Sequence, residues 1–264
     1  MPQLFQVDAF TDKPFHGNPA AVYIDPKPAT DQWMQDLAAE MNLSETAFLK
    51  PQADGYDMRW FTPATEVELC GHATLASAWI LFTEGFEPYE KEIHFHTQSG
   101  LLTARWKDGA VVLNFPAFTH VIEVKNTQLL QALGLKNGRI WQVDKHWVVE
   151  VENAAVLIDL HPNFQEMVAC GCGDVAVTSL ADDSDFDFVS RFFAPGCGVD
   201  EDPVTGSAHC SLAPFWMQRL KKNPLRAYQA SARGGSLLIE VLGDRVDLHG
   251  KAVTVFRADL VEGR

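Results

Sequence analysis

Basic residues are scarce in this chain. Twenty-one Lys and Arg stand against 35 Asp and Glu, a formal net charge of −14 over 264 residues. A surface this acidic repels nucleic acid and anionic membranes, so neither is an expected partner. Long apolar runs are lacking too. The longest, near Ala78 to Phe82, falls far short of the roughly 20 residues that span a bilayer. Met1 to Asp8 carries no basic n-region and no apolar segment, so no signal peptide is expected. Cysteines number only five, an odd count with no framework spacing, which predicts reduced thiols in a cytoplasmic protein. Cys170 and Cys172 stand in Cys-Gly-Cys-Gly, too close for the usual zinc pair and without a second pair; they read as small buried side chains near a turn. No G-x-G-x-x-G, no G-x-x-x-x-G-K-[ST] and no H-E-x-x-H occurs, which leaves nucleotide and metalloprotease classes without support. The remaining balance, 47% hydrophobic and 21% charged, is that of an ordinary globular enzyme of one large or two small domains.

What is present is a motif used twice. Arg59-Trp60-Phe61-Thr62-Pro63 leads, after seven residues, into Gly71-His72-Ala73. Arg191-Phe192-Phe193-Ala194-Pro195 leads, after ten, into Gly206-Ser207-Ala208. Each copy reads as apolar strand, acidic loop, then Gly-polar-Ala opening an apolar helical run. Such a repeat predicts two similar halves. Glycine at a loop-to-helix junction lets backbone N–H groups approach a ligand, and the helix N-terminus favours negative charge. Two such ends facing each other would clamp a small carboxylate.

Along the chain, strands are expected at Leu4 to Ala9, Ala20 to Ile24, Thr46 to Leu49 and Met58 to Phe61, with Gly17-Asn18-Pro19 as a turn or loop. Thr30 caps a helix whose apolar side is Trp33, Met34, Leu37, Ala38 and Met41. Gly71 opens a helix to Phe82, and Leu101 to Trp106 forms a hairpin with Ala110 to Phe115. The second half repeats the style. Helices are expected at Asn126 to Leu133 and Asn163 to Val168, and strands at Trp147 to Val151, Asp174 to Ser179 and Phe186 to Phe193. A second central helix runs from Gly206 to about Leu220, kinked at Pro214. A hairpin of Ser236 to Val241 with Arg245 to Leu248 and a last strand, Ala252 to Ala258, close the chain. Short strands round one helix per half fit α+β rather than a parallel α/β sheet, with a boundary near Pro116 to Val121.

Several residues could carry chemistry, each beside a plainer reading. Glu45 stands between an amphipathic helix and an apolar strand. A carboxylate at such a buried edge would be desolvated, which suits a general base that later acts as an acid; alone, it reads more simply as an exposed strand-start carboxylate. His72 opens the first central helix, where the dipole would keep an imidazole neutral and able to relay a proton; otherwise it is a polar residue near a cap. Asp202 precedes the second central helix and could bind a substrate amine or orient His72, or be one loop carboxylate of an acidic stretch. Ser207 mirrors His72, and Asn18 could bind substrate or serve the turn. His94 and His96 project from one strand face, more simply solvated than metal-binding. His209 and Cys210 read as core. Cys70 directly precedes Gly71 at a helix start that could lower its pKa. A facing thiol pair is how cofactor-independent racemases move an α-proton, but the partner position holds Thr205.

Together these residues resemble the phenazine-biosynthesis PhzF-like isomerase family and, more distantly, diaminopimelate epimerase. Five blocks in order carry the resemblance: Gln6-Val7-Asp8-Ala9-Phe10 through Gly17-Asn18-Pro19-Ala20-Ala21-Val22; Asn42 to Phe48; Cys70-Gly71-His72-Ala73-Thr74-Leu75; Asp202 through Cys210; and Gly250-Lys251-Ala252-Val253-Thr254-Val255. The resemblance implies a diaminopimelate epimerase-like α+β fold. Two pseudo-symmetric lobes, 1–117 completed by about 250–264 and 118–249, would each wrap a sheet round a central helix, with the substrate cleft between them. It implies an isomerase working without cofactor or metal; in the phenazine pathway the family shifts a proton along the allylic system of a dihydro-hydroxyanthranilate. It assigns the proton shuttle to Glu45, polar catalytic roles to His72 and Asp202, and substrate binding to Asn18, Gly71, Gly206 and Ser207. The expected partner is a small carboxylate substrate, and the expected assembly a homodimer. An amino-acid epimerase or racemase, or a non-catalytic small-molecule-binding relative, stays open.

Overall fold

The computed structural model describes residues 3–25, 27, 29–144 and 146–260. The chain folds into two compact units, Met1–Asn114 with Leu248–Arg264, and Phe115–Asp247. The first opens with β1 (Gln3–Ala9), β2 (Asn18–Ile24), α1 (Asp31–Met41), β3 (Glu45–Gln52), β4 (Gly55–Phe61), β5 (Glu66–Val67), α2 (Gly71–Thr83), β6 (Ile93–Thr97), β7 (Gly100–Lys107) and β8 (Ala110–Pro116). The second holds β9 (Val121–Val124), α3 (Thr127–Ala132), β10 (Arg139–Val143), β11 (His146–Glu150), α4 (Ala154–Ile158), α5 (Phe164–Ala169), β12 (Val175–Leu180), β13 (Phe188–Ala194), β14 (Val199–Asp202), α6 (Gly206–Leu220), β15 (Leu225–Gln229) and β16 (Gly235–Leu242). β17 (Arg245–Gly250) carries the chain back, and β18 (Ala252–Asp259) ends it in the first unit, antiparallel to β1.

The two units repeat one pairing scheme. In the first, β18–β1 and β1–β2 are antiparallel, β2–β3 parallel, β3–β4 antiparallel, β4–β6 parallel and β6–β7 antiparallel. In the second, β9–β10, β10–β11, β11–β12, β12–β13, β13–β15 and β15–β16 follow the same order of senses. Each unit has one long helix packed on its sheet. α2 touches β1, β2, β3, β7 and β18, and α6 touches β11 and β16. α2 is apolar on all sides and buried almost throughout, as a helix enclosed by a sheet must be. Gly250 is one condition of that packing: a Cβ there would stand 2.4 Å from Leu75 of α2. No helix among the described residues is long and apolar enough to cross a membrane.

The other sheet face carries the outer helices. In the first unit α1 sets Met34 and Ala38 on Tyr23, Phe48 and Phe61, while Thr30 caps it by accepting from the Trp33 amide at 3.2 Å. In the second, α3, α4 and α5 cover Val175, Val177 and Phe193. Pro214 is buried within α6, which runs through it without a break. Several elements escaped the sequence reading. β9, β10, α4 and β15 are short, and Asn18 and Pro19 belong to a strand rather than a turn. The acidic segments before the central helices are not plain loops, because β5 and β14 pair with β4 and β13.

Those short strands serve the repeated arginines. Arg59 on β4 grips Glu66 on β5 through Nε and Nη2, at 2.6 and 2.7 Å. Arg191 on β13 grips Glu201 on β14 in the same way, at 2.7 and 2.9 Å. Each guanidinium also lies over the phenylalanine two residues on, Phe61 at 5.1 Å and Phe193 at 4.8 Å. Each glutamate precedes its helix start by five residues, so the bidentate fork fixes the segment that delivers Gly71 or Gly206. The third arm differs. Arg191 Nη1 donates to the carbonyls of Leu157, Ile158 and Leu160, closing the exit of α4, whereas Arg59 Nη1 reaches Asp31 at the exposed start of α1.

This difference predicts unequal costs. The Arg191 side chain is 12% exposed and that of Arg59 32%. Arg191→Met should destabilise by about 3 kcal/mol, the scale for breaking a buried pair, and Arg59→Met by nearer 1 kcal/mol, because solvent screens it. Urea unfolding of both variants measures this, and a larger loss for Arg59→Met would contradict it.

Candidate active site

Strand alternation brings the first cluster together. β2 and β3 run parallel with Ala20 beside Glu45. Phe48 and Phe61 face the α1 core, and Thr46, opposite Phe61, shares their face. One residue off, Glu45 faces the α2 side. Ala20 is on that face, and so is Asn18 two residues before it. Both side chains therefore leave the starts of neighbouring parallel strands where α2 begins. Gly17, at φ +65°, makes the entry possible: a Cβ there would sit 2.1 Å from the Ala9 carbonyl oxygen.

His72 is the centre of this cluster. Its Nδ1 lies 3.1 Å from Asn18 Nδ2 and 3.5 Å from Cys70 Sγ, and its Nε2 lies 3.1 Å from Glu45 Oε2. Asn18, Cys70 and His72 are buried, while the Glu45 side chain keeps 20% exposure. Glu45 is thus the end of the chain open to a ligand. With a neutral ring, the Asn18 amide donates to Nδ1 and the ring proton sits on Nε2, towards Glu45; with a charged ring Nδ1 also carries a proton, and the amide presents its oxygen there instead. The 3.1 Å approach is off-line for a hydrogen bond, as ligand-free proton-transfer pairs often are.

The electrostatics correct one expectation. Burial by itself would lower the His72 pKa, but the Cys70 sulfur and the Glu45 carboxylate outweigh it and hold the imidazole well above its ordinary value. Burial, with Glu45 adding to it, pushes the Cys70 thiol up to about 11, so near neutral pH the sulfur keeps its proton. The direction for His72 runs against the expected neutral imidazole, and the helix start does not acidify Cys70.

The second cluster lies at the start of α6. The Asp202 carboxylate accepts from the Thr205 hydroxyl. Gln229, buried on β15, donates to the Asp202 carbonyl at 2.7 Å and accepts from the Thr205 amide at 2.8 Å. Gly206 and Ser207 follow as the first helical residues. Gln229 holds this turn in place and was missed, since one glutamine in a short strand gives no signal. His209 is core, as read: its Nδ1 donates to the Thr205 carbonyl at 2.8 Å, and burial pulls its pKa down to about 4. His94 and His96 serve the outer strand, near Asp54.

Capping separates these two helix starts from the rest. α1, α3, α4 and α5 each begin on a Thr or Asn side chain that accepts a first-turn amide. α2 and α6 begin on Cys70 and Thr205, neither of which makes a side-chain cap hydrogen bond. Their leading amides are left for another acceptor. The clusters also differ in kind. Register sets Thr46 opposite Phe61 and Val175 opposite Phe193, so Asp174 takes the place of Glu45 in the second unit, as Ser207 takes that of His72. The carboxylate–imidazole pair belongs to the first unit.

With this geometry in place, comparison with known proteins is specific. The model of the PhzC-PhzF family, phenazine biosynthesis-like protein, matches residues 7–258. An uncharacterized isomerase of Halalkalibacterium halodurans is 48% identical over 98% of both chains. The crystal structure of a PhzF-family protein from Enterococcus faecalis superposes with a TM-score of 0.92 at 38% identity, over 98% of this chain and 99% of that one. The chain belongs to the phenazine biosynthesis-like, PhzF-type family, and it is an isomerase. Its fold is shared with more distant proteins, among them a probable proline racemase from Agrobacterium radiobacter, with a TM-score of 0.65 at 14% identity over 99% of this chain and 93% of that one.

The His72 shift has a stability consequence with a definite sign. A histidine whose folded pKa is raised stabilises the fold fully below its unfolded value, about 6.5, and that contribution is lost as pH rises through the folded value. Urea unfolding between pH 6 and pH 9 should therefore show wild-type stability falling relative to His72→Asn. Parallel profiles would contradict the charged imidazole.

Proposed function

We propose that this isomerase shifts a proton on a small carboxylate-bearing substrate by acid/base catalysis through Glu45, without a cofactor. The observation that carries this reading is the Glu45–His72 contact at 3.1 Å, at the uncapped start of a buried helix. The Glu45 carboxylate removes a proton from a carbon conjugated to the substrate carboxylate. The electron pair of the C–H bond moves along the conjugated system onto the carboxylate oxygens. The protonated Glu45 then returns the proton to another carbon of that system, and the double bond shifts. His72, held cationic beside it and positioned by Asn18, offsets the charge that forms. Amides at the start of α2, at Gly71, suit the carboxylate of a substrate held by Glu45, and within the second unit the start of α6, at Gly206, with Asp202 and Ser207, suits a polar or anionic group in the same way. Charge that grows on those oxygens binds the amides more tightly in the transition state than in the substrate.

Cys70 takes no step in this scheme. Its thiol stays protonated near neutral pH, and Thr205 stands where a second racemase cysteine would be. The free thiols of all five cysteines support a cytoplasmic setting. Planar acids of the anthranilate type fit the proposed chemistry, since it needs conjugation to the carboxylate.

Two measurements test this. Glu45→Gln keeps shape and cannot accept a proton, so turnover should fall by about 10²–10⁴-fold with the fold intact by circular dichroism. Wild-type turnover in that variant would remove Glu45 from the mechanism. Titration calorimetry of matched planar acids and their amides should show the acids binding much more tightly. Equal affinities would make the uncapped helix starts purely structural.

A further inference from the structure

Cys70 is left without a role by the reading above, yet it completes a donor set. We propose that Glu45, Cys70 and His72 form a binding site for Zn²⁺, and that the ion inhibits the enzyme by occupying its proton-shuttling pair. One donor atom from each residue lies within 4.8 Å of the other two. Cys70 Sγ is 3.5 Å from His72 Nδ1, and Glu45 Oε2 is 3.1 Å from His72 Nε2. At zinc bond lengths of about 2.0–2.3 Å, donors on one tetrahedral ion lie roughly 3.3–3.7 Å apart. The two contacts fall on opposite ring nitrogens, so a single ion needs one of them to close from as far as 4.8 Å to that spacing, a movement of roughly 1 Å.

The donor types choose the metal. Thiolate and imidazole with one carboxylate suit Zn²⁺ and its analogues Co²⁺ and Cd²⁺, whereas Mg²⁺ and Ca²⁺ want oxygen alone. As the ion binds, the thiol proton and the proton on the ligating imidazole nitrogen both leave to solvent. Three protein ligands leave a fourth position, and the half-exposed Glu45 side gives the ion its way in. Asn18, against the imidazole, orients it as outer-shell partners of metal-bound histidines do. With the ion bound, the Glu45 oxygen and the imidazole nitrogen are both taken, so neither can move a proton. The sulfur supplies the selectivity for soft ions, which distinguishes this site from the Glu45–His72 pair alone.

The inhibitory half rests on Glu45 and His72 being the proton shuttle; the binding half does not, and the experiment separates them. Co²⁺ is titrated into the metal-stripped full chain and the near-ultraviolet thiolate-to-cobalt charge-transfer band is followed. The expected result is a band saturating at one equivalent per chain and abolished by Zn²⁺. Cys70→Ala should remove the band and weaken Zn²⁺ binding by at least the roughly 10–100-fold that loss of an outer-shell partner costs. Glu45→Gln should keep the band with weaker binding. In the activity assay, Zn²⁺ should inhibit the wild type and Mg²⁺ should not, while Cys70→Ala should turn over normally and resist Zn²⁺. No band, or a band that survives in Cys70→Ala and so belongs to another cysteine, overturns the metal site. A Cys70-dependent band with no loss of turnover leaves the ion bound here and overturns inhibition together with the shuttle.

Discussion

Each unit is organised by a guanidinium gripping a carboxylate shortly before a buried helix begins. The fork between Arg59 and Glu66, and its copy between Arg191 and Glu201, joins a long strand to the short strand that delivers the helix. Without that tie, the segment before Gly71 or Gly206 would be an acidic loop with the freedom of one, and the direction of the helix start would vary. A helix end aims its partial charge only as well as its first turn is held. The Arg-over-Phe contact seats the same guanidinium on the sheet, so one side chain links strand, connection and core. The fork is therefore the condition under which amides at a helix start can act on a ligand.

The repeat gives two equivalent frameworks and sets different chemistry on them. The first unit has a carboxylate, an imidazole and an amide side by side at the start of α2. The second has Asp202, Thr205 and Gln229 locked to one another at the start of α6. Side chains that satisfy each other in this way hold a shape; side chains that meet off-line, as Glu45 and His72 do, have capacity to spare for a substrate. The net charge of −14 does not prevent anion binding at such a place. Charges spread over a surface are screened within about 8–10 Å, while the amides of an uncapped helix start act at contact distance.

Much of this was legible in the residues. The doubled Arg-x-Phe-x-Pro and Gly-x-Ala pattern identified both central helices to within a residue or two, because a Gly before a long apolar run is a local signal. Thr30 marked a helix start through its cap for the same reason. Short strands were not legible: β5 and β14 are too brief and too acidic to show alternation, and their pairing depends on arginines elsewhere in the chain. Glu45, His72 and Asn18 could be singled out one by one, but only strand register puts Asn18 and Glu45 on one face of the sheet. The direction of the His72 shift was not legible, because the Cys70 sulfur and the Glu45 carboxylate meet the ring only in the fold. Gln229 gave no sign, since a buried glutamine that braces a turn has no pattern around it.

The central claim is that Glu45 and His72 act as one proton-relay pair, with the imidazole charged at neutral pH. A nitrogen-15 NMR titration of the His72 ring in the full chain tests it most directly. Both ring nitrogens should carry protons at pH 7, with a transition well above the ordinary histidine value that moves down in Glu45→Gln. A neutral imidazole at pH 7, or a transition indifferent to Glu45, would contradict the account.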